Sequence, residues 1–191
     1  MAPSGRLAVV EVLPDIVGPD PLLVFCGLAG AESTKHREHY YGSPGNSFWE
    51  SLHLSGMSPT RLRPEDEHQV VALGYGLTDL VGHWDPRWVE MDVLVTKVEK
   101  WRPEWLVLTS KNVAHEASRA LGRRGRPGLG VQDWYVADAQ VFVLPGTSGA
   151  NQRRDYDGRP NRLSWWRDLA SLVGRGEGMA GRYGRNASRD D

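Results

Sequence analysis

Residues 22–28, LLVFCGL, constrain the fold of this chain more than any other stretch. They form an apolar run stopped at Gly27 and followed by small residues. A strand with one wet face alternates apolar with polar, whereas a strand covered on both faces is apolar throughout. Two further runs, WLVLT at 105–109 and VFVL at 141–144, have the same character. Residues 134–137 and 140–144 read as a hairpin around 138–139, its second strand feeding the same sheet.

Helical patterns fill the intervals. Residues 46–55 put Phe48, Trp49 and Leu52 on one face. Residues 64–73 open with Pro-Glu-Asp-Glu, acidic residues suited to a helix N-terminus. Residues 92–100 repeat apolar positions at helical spacing, 112–121 follow Ser110 as a cap, and 163–173 form a last amphipathic helix. Strands alternating with helices predict an α/β fold: a single three-layer α/β/α domain with a central, mainly parallel sheet. In such a sheet ligands belong at the carboxyl ends of the strands. The predicted domain covers 1–173, and the Gly/Arg-rich 174–191 has little to bury and reads as a disordered tail.

Composition excludes several classes. Apolar content is 40%, charged content 25% and net charge −1, so no global charge bias points to nucleic acid or a membrane surface. No signal-peptide h-region and no membrane span is evident, so a cytoplasmic (intracellular) protein is expected, nucleoid-associated if the source is bacterial. The lone Cys26 excludes an intramolecular disulfide and a multi-cysteine zinc site, and it reads as a small buried hydrophobe. His36 and His39 could share a helical face, but no third ligand lies nearby, so no metal and no cofactor is expected. The eight tryptophans exceed core needs and point to rim or binding roles as well.

Four loops fall on what should be one rim. In the first, 27–41, glycines allow backbone N–H groups to approach a ligand; Tyr41 either packs or stacks, and Asn46 beyond it either caps the next helix or contacts a ligand. The second, 74–85 (GYGLTDLVGHWD), holds Asp79 among Leu77, Leu80 and Val81, where apolar surroundings would suit a carboxylate to acid–base work. The alternative for Asp79 is a capping or turn role, and His83 is either a plain surface-loop histidine or, by its location, a candidate for oxyanion stabilisation. The third, PGTSGAN at 145–151, offers Ser148 and backbone amides. The fourth, 152–168, carries Arg153, Arg154, Arg159, Arg162 and Arg167 among aromatics, with Asp155, Asp157 and Asp168. Arginine beside aromatics suits phosphate contact and base stacking, while the aspartates suit a self-paired surface loop.

Taken in order, these loops resemble the uracil-DNA glycosylase superfamily, and most of all its mismatch-specific uracil/thymine-DNA glycosylases. The resemblance runs from about residue 22 to 172. It is carried by VFCGLAG with KHREHYYGSPGNSFWESLHLSGMS, by GYGLTDLV, and by VFVLPGTSGAN. It implies a protein that flips a base from DNA and hydrolyses its N-glycosidic bond, because that bond is out of reach inside a duplex. By resemblance Tyr41 is the aromatic platform for the base, and Leu28, Ala29 and Gly30 approach it through their backbone, with Asn46 and Ser148 beside it. The wedge loop falls on Gly149, Ala150 and Asn151, and Gln152, Arg153, Arg154, Arg159 and Arg162 lie against DNA. Arg153 or Arg154 is expected to fill the base gap or grip the abasic product.

The sequence departs from the family pattern where chemistry is expected. The family's first motif typically reads Gly-Ile-Asn-Pro-Gly, and the amide holds the attacking water. Ala29 stands at that position here, and Gly146 and Thr147 replace the usual Asn-Pro of the second motif. Three explanations follow: Asp79 has taken over the water; Ser148 or His83 supplies what remains through leaving-group stabilisation; or the protein is an inactive binder of abasic or mismatched DNA. The reading adopted is a monomeric, monofunctional uracil-DNA glycosylase acting on uracil-containing duplex or single-stranded DNA, with Asp79 positioning water. A hydrolase of free nucleosides is a third class.

Overall fold

The computed structural model describes residues 13–28, 38–80, 91–149 and 156–174. Five strands, β1 (Leu23–Gly27), β2 (Tyr75–Asp79), β3 (Trp105–Leu108), β4 (Gly130–Val136) and β5 (Ala139–Val143), form one sheet in the order β2-β1-β3-β5-β4. All pairings are parallel except β4 with β5, which are antiparallel. Helices α1 (Phe48–Leu54), α2 (Met91–Trp101), α3 (Lys111–Ala120) and α4 (Arg162–Leu172) cover the sheet, and a 3₁₀ segment spans Pro64–Leu73. This is the predicted three-layer α/β/α fold with a mainly parallel sheet.

The continuous apolar character of β1 has a direct structural cause. Leu23 and Phe25 point into a cluster with Phe48 and Leu52 of α1 and Trp166 and Leu169 of α4. Val24 and Cys26 point the other way, into a cluster with Leu94 and Val98 of α2 and Val113 and Ala117 of α3. Phe25 sits at the centre of the first cluster, edge-on to Phe48 (5.1 Å, 83°) and 5.7 Å from the Trp166 ring. Such pairs add directional preference to area burial.

Local signals account for several element ends. The Ser110 side chain accepts from the Val113 amide (3.2 Å) and starts α3, as its sequence position predicts. Asn161 does the same for α4 through Ser164 (3.1 Å). Gly74, at φ +80°, closes the 3₁₀ segment in a left-handed conformation that glycine adopts without cost.

Two sequence expectations are corrected. Residues 74–85 read as a loop, but Tyr75–Asp79 is β2, a buried edge strand paired with β1 in register Gly27↔Asp79. The interior glycine, Gly76, hid it: a side chain there would stand 2.9 Å from Val17, which packs across the strand. Residues 64–73 are wound as 3₁₀ turns instead of an α-helix. Of the 174–191 tail, only Gly174 lies within the described residues. Among the described residues no helix is long and apolar enough to cross a membrane.

Candidate active site at the strand ends

Register brings the carboxyl ends of β1, β2 and β3 level, so Gly27, Asp79 and Thr109 meet at one edge of the sheet. Gly27 pairs with Asp79, and the Leu80 amide donates to the Gly27 carbonyl (2.7 Å). A methyl group on Gly27 would stand 2.6 Å from Asp79 Oδ1 and 3.4 Å from the Tyr41 hydroxyl oxygen. Glycine at 27 therefore leaves room for a carboxylate and a phenol to converge over the strand end. Asp79 is half-buried as a residue, with its Oδ1 out of contact with solvent.

Thr109 ties the phenol to the sheet. The Tyr41 hydroxyl donates to Thr109 Oγ1 (3.3 Å), and Thr109 donates in turn to the Cys26 carbonyl (3.2 Å). The Tyr41 ring lies flat on Phe48 at 3.8 Å with 6° between planes. The ring contact with Phe48 gives Tyr41 the packing role, one of the two its sequence context left open. Its backbone has φ +54°, a left-handed conformation that costs an aromatic residue about 1–2 kcal/mol. Strain of this kind gathers where a side chain must be aimed.

The segment before Tyr41 is held by buried groups. Glu67 on the 3₁₀ segment accepts from the Tyr40 amide (2.6 Å) and meets His39 Nδ1 (3.1 Å). The Trp49 indole donates to the Tyr40 carbonyl (3.1 Å). His39 is thus engaged by Glu67, and no group of three metal-ligating side chains occurs among the described residues.

The other half of the rim is built by two loops in backbone contact. Gly45 and Gly149 pack so closely that a side chain on Gly149 would stand 2.9 Å from the Gly45 carbonyl oxygen. The Ser47 amide donates to the Thr147 carbonyl (2.9 Å), and Asn46 Oδ1 accepts from the Phe48 amide (3.0 Å) at the start of α1. Arg162 donates to Ser47 Oγ (2.6 Å), tying α4 to the same junction. Ser148 and Gly149 are exposed at its edge.

Of the residues singled out from sequence, Asp79 and Tyr41 converge over Gly27, with Leu28 following Gly27 on the same strand end. Asn46, Ser148, Gly149 and Arg162 gather at the second half of the rim, and Phe48 joins the two halves. Arg159 lies apart, paired with Asp168 (2.5 Å) and set over the Trp165 ring (5.2 Å). Ala29, Gly30, His83, Ala150, Asn151, Gln152, Arg153 and Arg154 lie outside the described residues. Thr109, Glu67 and Trp49 escaped the sequence reading. Thr109 ends a strand, Glu67 resembles any acid of a helix start, and Trp49 resembles any apolar residue of a helix face.

A three-layer α/β domain whose polar groups converge over the carboxyl ends of parallel strands is a ligand-binding or catalytic domain by architecture. The uracil DNA glycosylase superfamily model matches residues 14–170, and the chain belongs to that superfamily. Membership points to a DNA glycosylase, a hydrolase of DNA repair whose substrate is DNA.

Proposed function

We propose that the chain removes uracil from DNA by hydrolysis of the N-glycosidic bond and leaves an abasic site. One observation carries this reading: the Asp79 carboxylate stands over Gly27 beside the Tyr41 hydroxyl, in a superfamily member whose usual water-holding position is Ala29. In the proposed reaction the flipped base stacks at Tyr41. The C1′–N1 bond breaks with its electron pair leaving on uracil, and the sugar becomes oxocarbenium-like. Asp79 orients the water that adds to C1′ and takes its proton. Leu28, Ala29 and Gly30 approach the base through their amides, and Ser148 and His83 stabilise the departing anion.

On the DNA side, the sequence from Gly149 to Arg154, with Arg159 and Arg162, is assigned to the backbone and the emptied stack by the family resemblance. Lys111, two positions beyond Thr109, is tied to Asp157, which supports hydrolysis by water over attack by a lysine. The proposed hydrolysis uses neither a metal nor a cofactor.

The test is excision from a labelled oligonucleotide carrying one uracil, opposite G, opposite A and single-stranded, with alkali to reveal abasic sites. Asp79→Asn should lose about 10²–10⁴-fold in single-turnover rate while keeping its affinity for abasic duplex. Equal rates in both proteins would remove Asp79 from the mechanism. Ala29 favours a second reading, a non-catalytic binder of abasic or mismatched DNA. Tight binding to such duplexes without cleavage of any substrate would establish that reading instead.

A further inference from the structure

Tyr41 combines three features that local sequence does not explain. Its backbone is left-handed at φ +54°, its ring is flat on Phe48, and its hydroxyl reaches Thr109. The residue before it has both main-chain polar groups taken by side chains distant in sequence or on another element. Glu67 accepts from the Tyr40 amide at 2.6 Å, and the Trp49 indole donates to the Tyr40 carbonyl at 3.1 Å. Glu67 is itself buried at 6% exposure, so its carboxylate is held out of water by the bonds it makes. A buried carboxyl group needs hydrogen-bond partners, and here they are His39 and the Tyr40 amide.

We infer that Glu67 and Trp49 are positioning residues that clamp the two peptides flanking Tyr40 and thereby hold the Tyr41 ring where the flipped base must stack. The inference rests on the proposed role of Tyr41 as base platform. Glu67 touches neither base nor water in this scheme. It acts by opposing the relaxation of Tyr41 to an ordinary backbone conformation, which would lift the ring from Phe48 and draw its hydroxyl off Thr109. Trp49 supplies the second point of attachment, on the carbonyl of the Tyr40–Tyr41 peptide, so the peptides on both sides of Tyr40 are held.

The experiment uses the full chain labelled with 3-fluorotyrosine, the Tyr41 resonance being assigned by its loss in Tyr41→Phe. The ring current of the stacked Phe48 should set this resonance apart from its position in the unfolded chain. Glu67→Ala should move it most of the way back, whereas Glu67→Gln, which keeps an oxygen for the Tyr40 amide, should leave it in place. In parallel, Glu67→Ala should slow single-turnover uracil excision about tenfold or more while abasic-duplex affinity stays within about threefold. The double variant Glu67→Ala/Tyr41→Ala should be no slower than Tyr41→Ala alone, because both changes remove one function.

An unmoved resonance in folded Glu67→Ala, or losses that multiply in the double variant, would overturn the inference. Should Glu67→Ala not fold, Trp49→Phe deletes the indole donor and is read in the same way. Wild-type protein that excises nothing would remove the glycosylase reading and leave the resonance test of the clamp intact.

Discussion

Asp79 occupies the space into which any side chain on Gly27 would project, with Oδ1 2.6 Å from where the Cβ atom would lie. The two residues face each other across the β1–β2 ladder, so the glycine is a condition for where the carboxylate stands.

Gly27→Ala should therefore turn the Asp79 carboxylate away without unfolding the protein, since the group that must yield is the end of a side chain. The expected outcome is an excision defect close to that of Asp79→Asn, about 10²-fold or more. Stability should fall by no more than about 1–2 kcal/mol. Single-turnover kinetics and urea denaturation of the same samples decide it, and full activity in Gly27→Ala would show that the observed carboxylate position is not needed.

Arg159 and Arg162 should separate by kinetics. Arg159 is exposed, set over Trp165 and paired with Asp168, so Arg159→Ala should lower DNA affinity and reduce its salt slope by at most about one phosphate contact, with excision from bound DNA unchanged. Arg162 is tied to Ser47, whose amide meets Thr147, so Arg162→Ala should lower both affinity and the excision rate. Affinity at several salt concentrations and the rate at saturating protein distinguish the two.

Burial, reinforced by the negative charge of Asp79, pushes the Cys26 thiol well above its ordinary range. A folded pKa above the unfolded one means stability that is present below about pH 8.5 and is lost as pH rises through the folded value. Cys26→Ala should flatten the alkaline limb of the Tm–pH profile. In the wild type, thiol labelling should run about a thousandfold slower than in the unfolded chain.

Asp157 behaves in the opposite sense. Partial burial works to raise its pKa, but hydrogen bonds from Lys111 and from the Leu129 amide (2.8 Å) prevail and hold it below the usual carboxylate range. Its contribution is present above the unfolded carboxylate pKa and is lost as pH falls through the lower folded value. Asp157→Asn should cost about 2 °C of Tm at pH 7, and the difference from wild type should vanish at strongly acidic pH. A constant offset at every pH would assign the effect to packing.

By itself the sequence determined the layers of this protein. Unbroken apolar runs at 22–28, 105–109 and 141–144 can be buried only between two sheets of helix, and the Ser110 cap and the helical apolar spacings supply those helices. It also offered Tyr41 and Asp79 as candidates, through the order of the loops that carry them. What it did not contain was their convergence. Residues 27, 41, 79 and 109 meet because parallel register levels three strand ends, and register belongs to the whole sheet. The clamp of Glu67 and Trp49 on Tyr40 was equally invisible. A hydrogen bond to a peptide group requires only a carboxylate and an indole N–H, residue types that serve many purposes, and only their arrival at 2.6 and 3.1 Å gives them this one. Hydrophobic pattern is local and survives in the one-dimensional string, whereas the aim of a side chain depends on contacts with other elements, as Glu67 reaches Tyr40 across 27 residues.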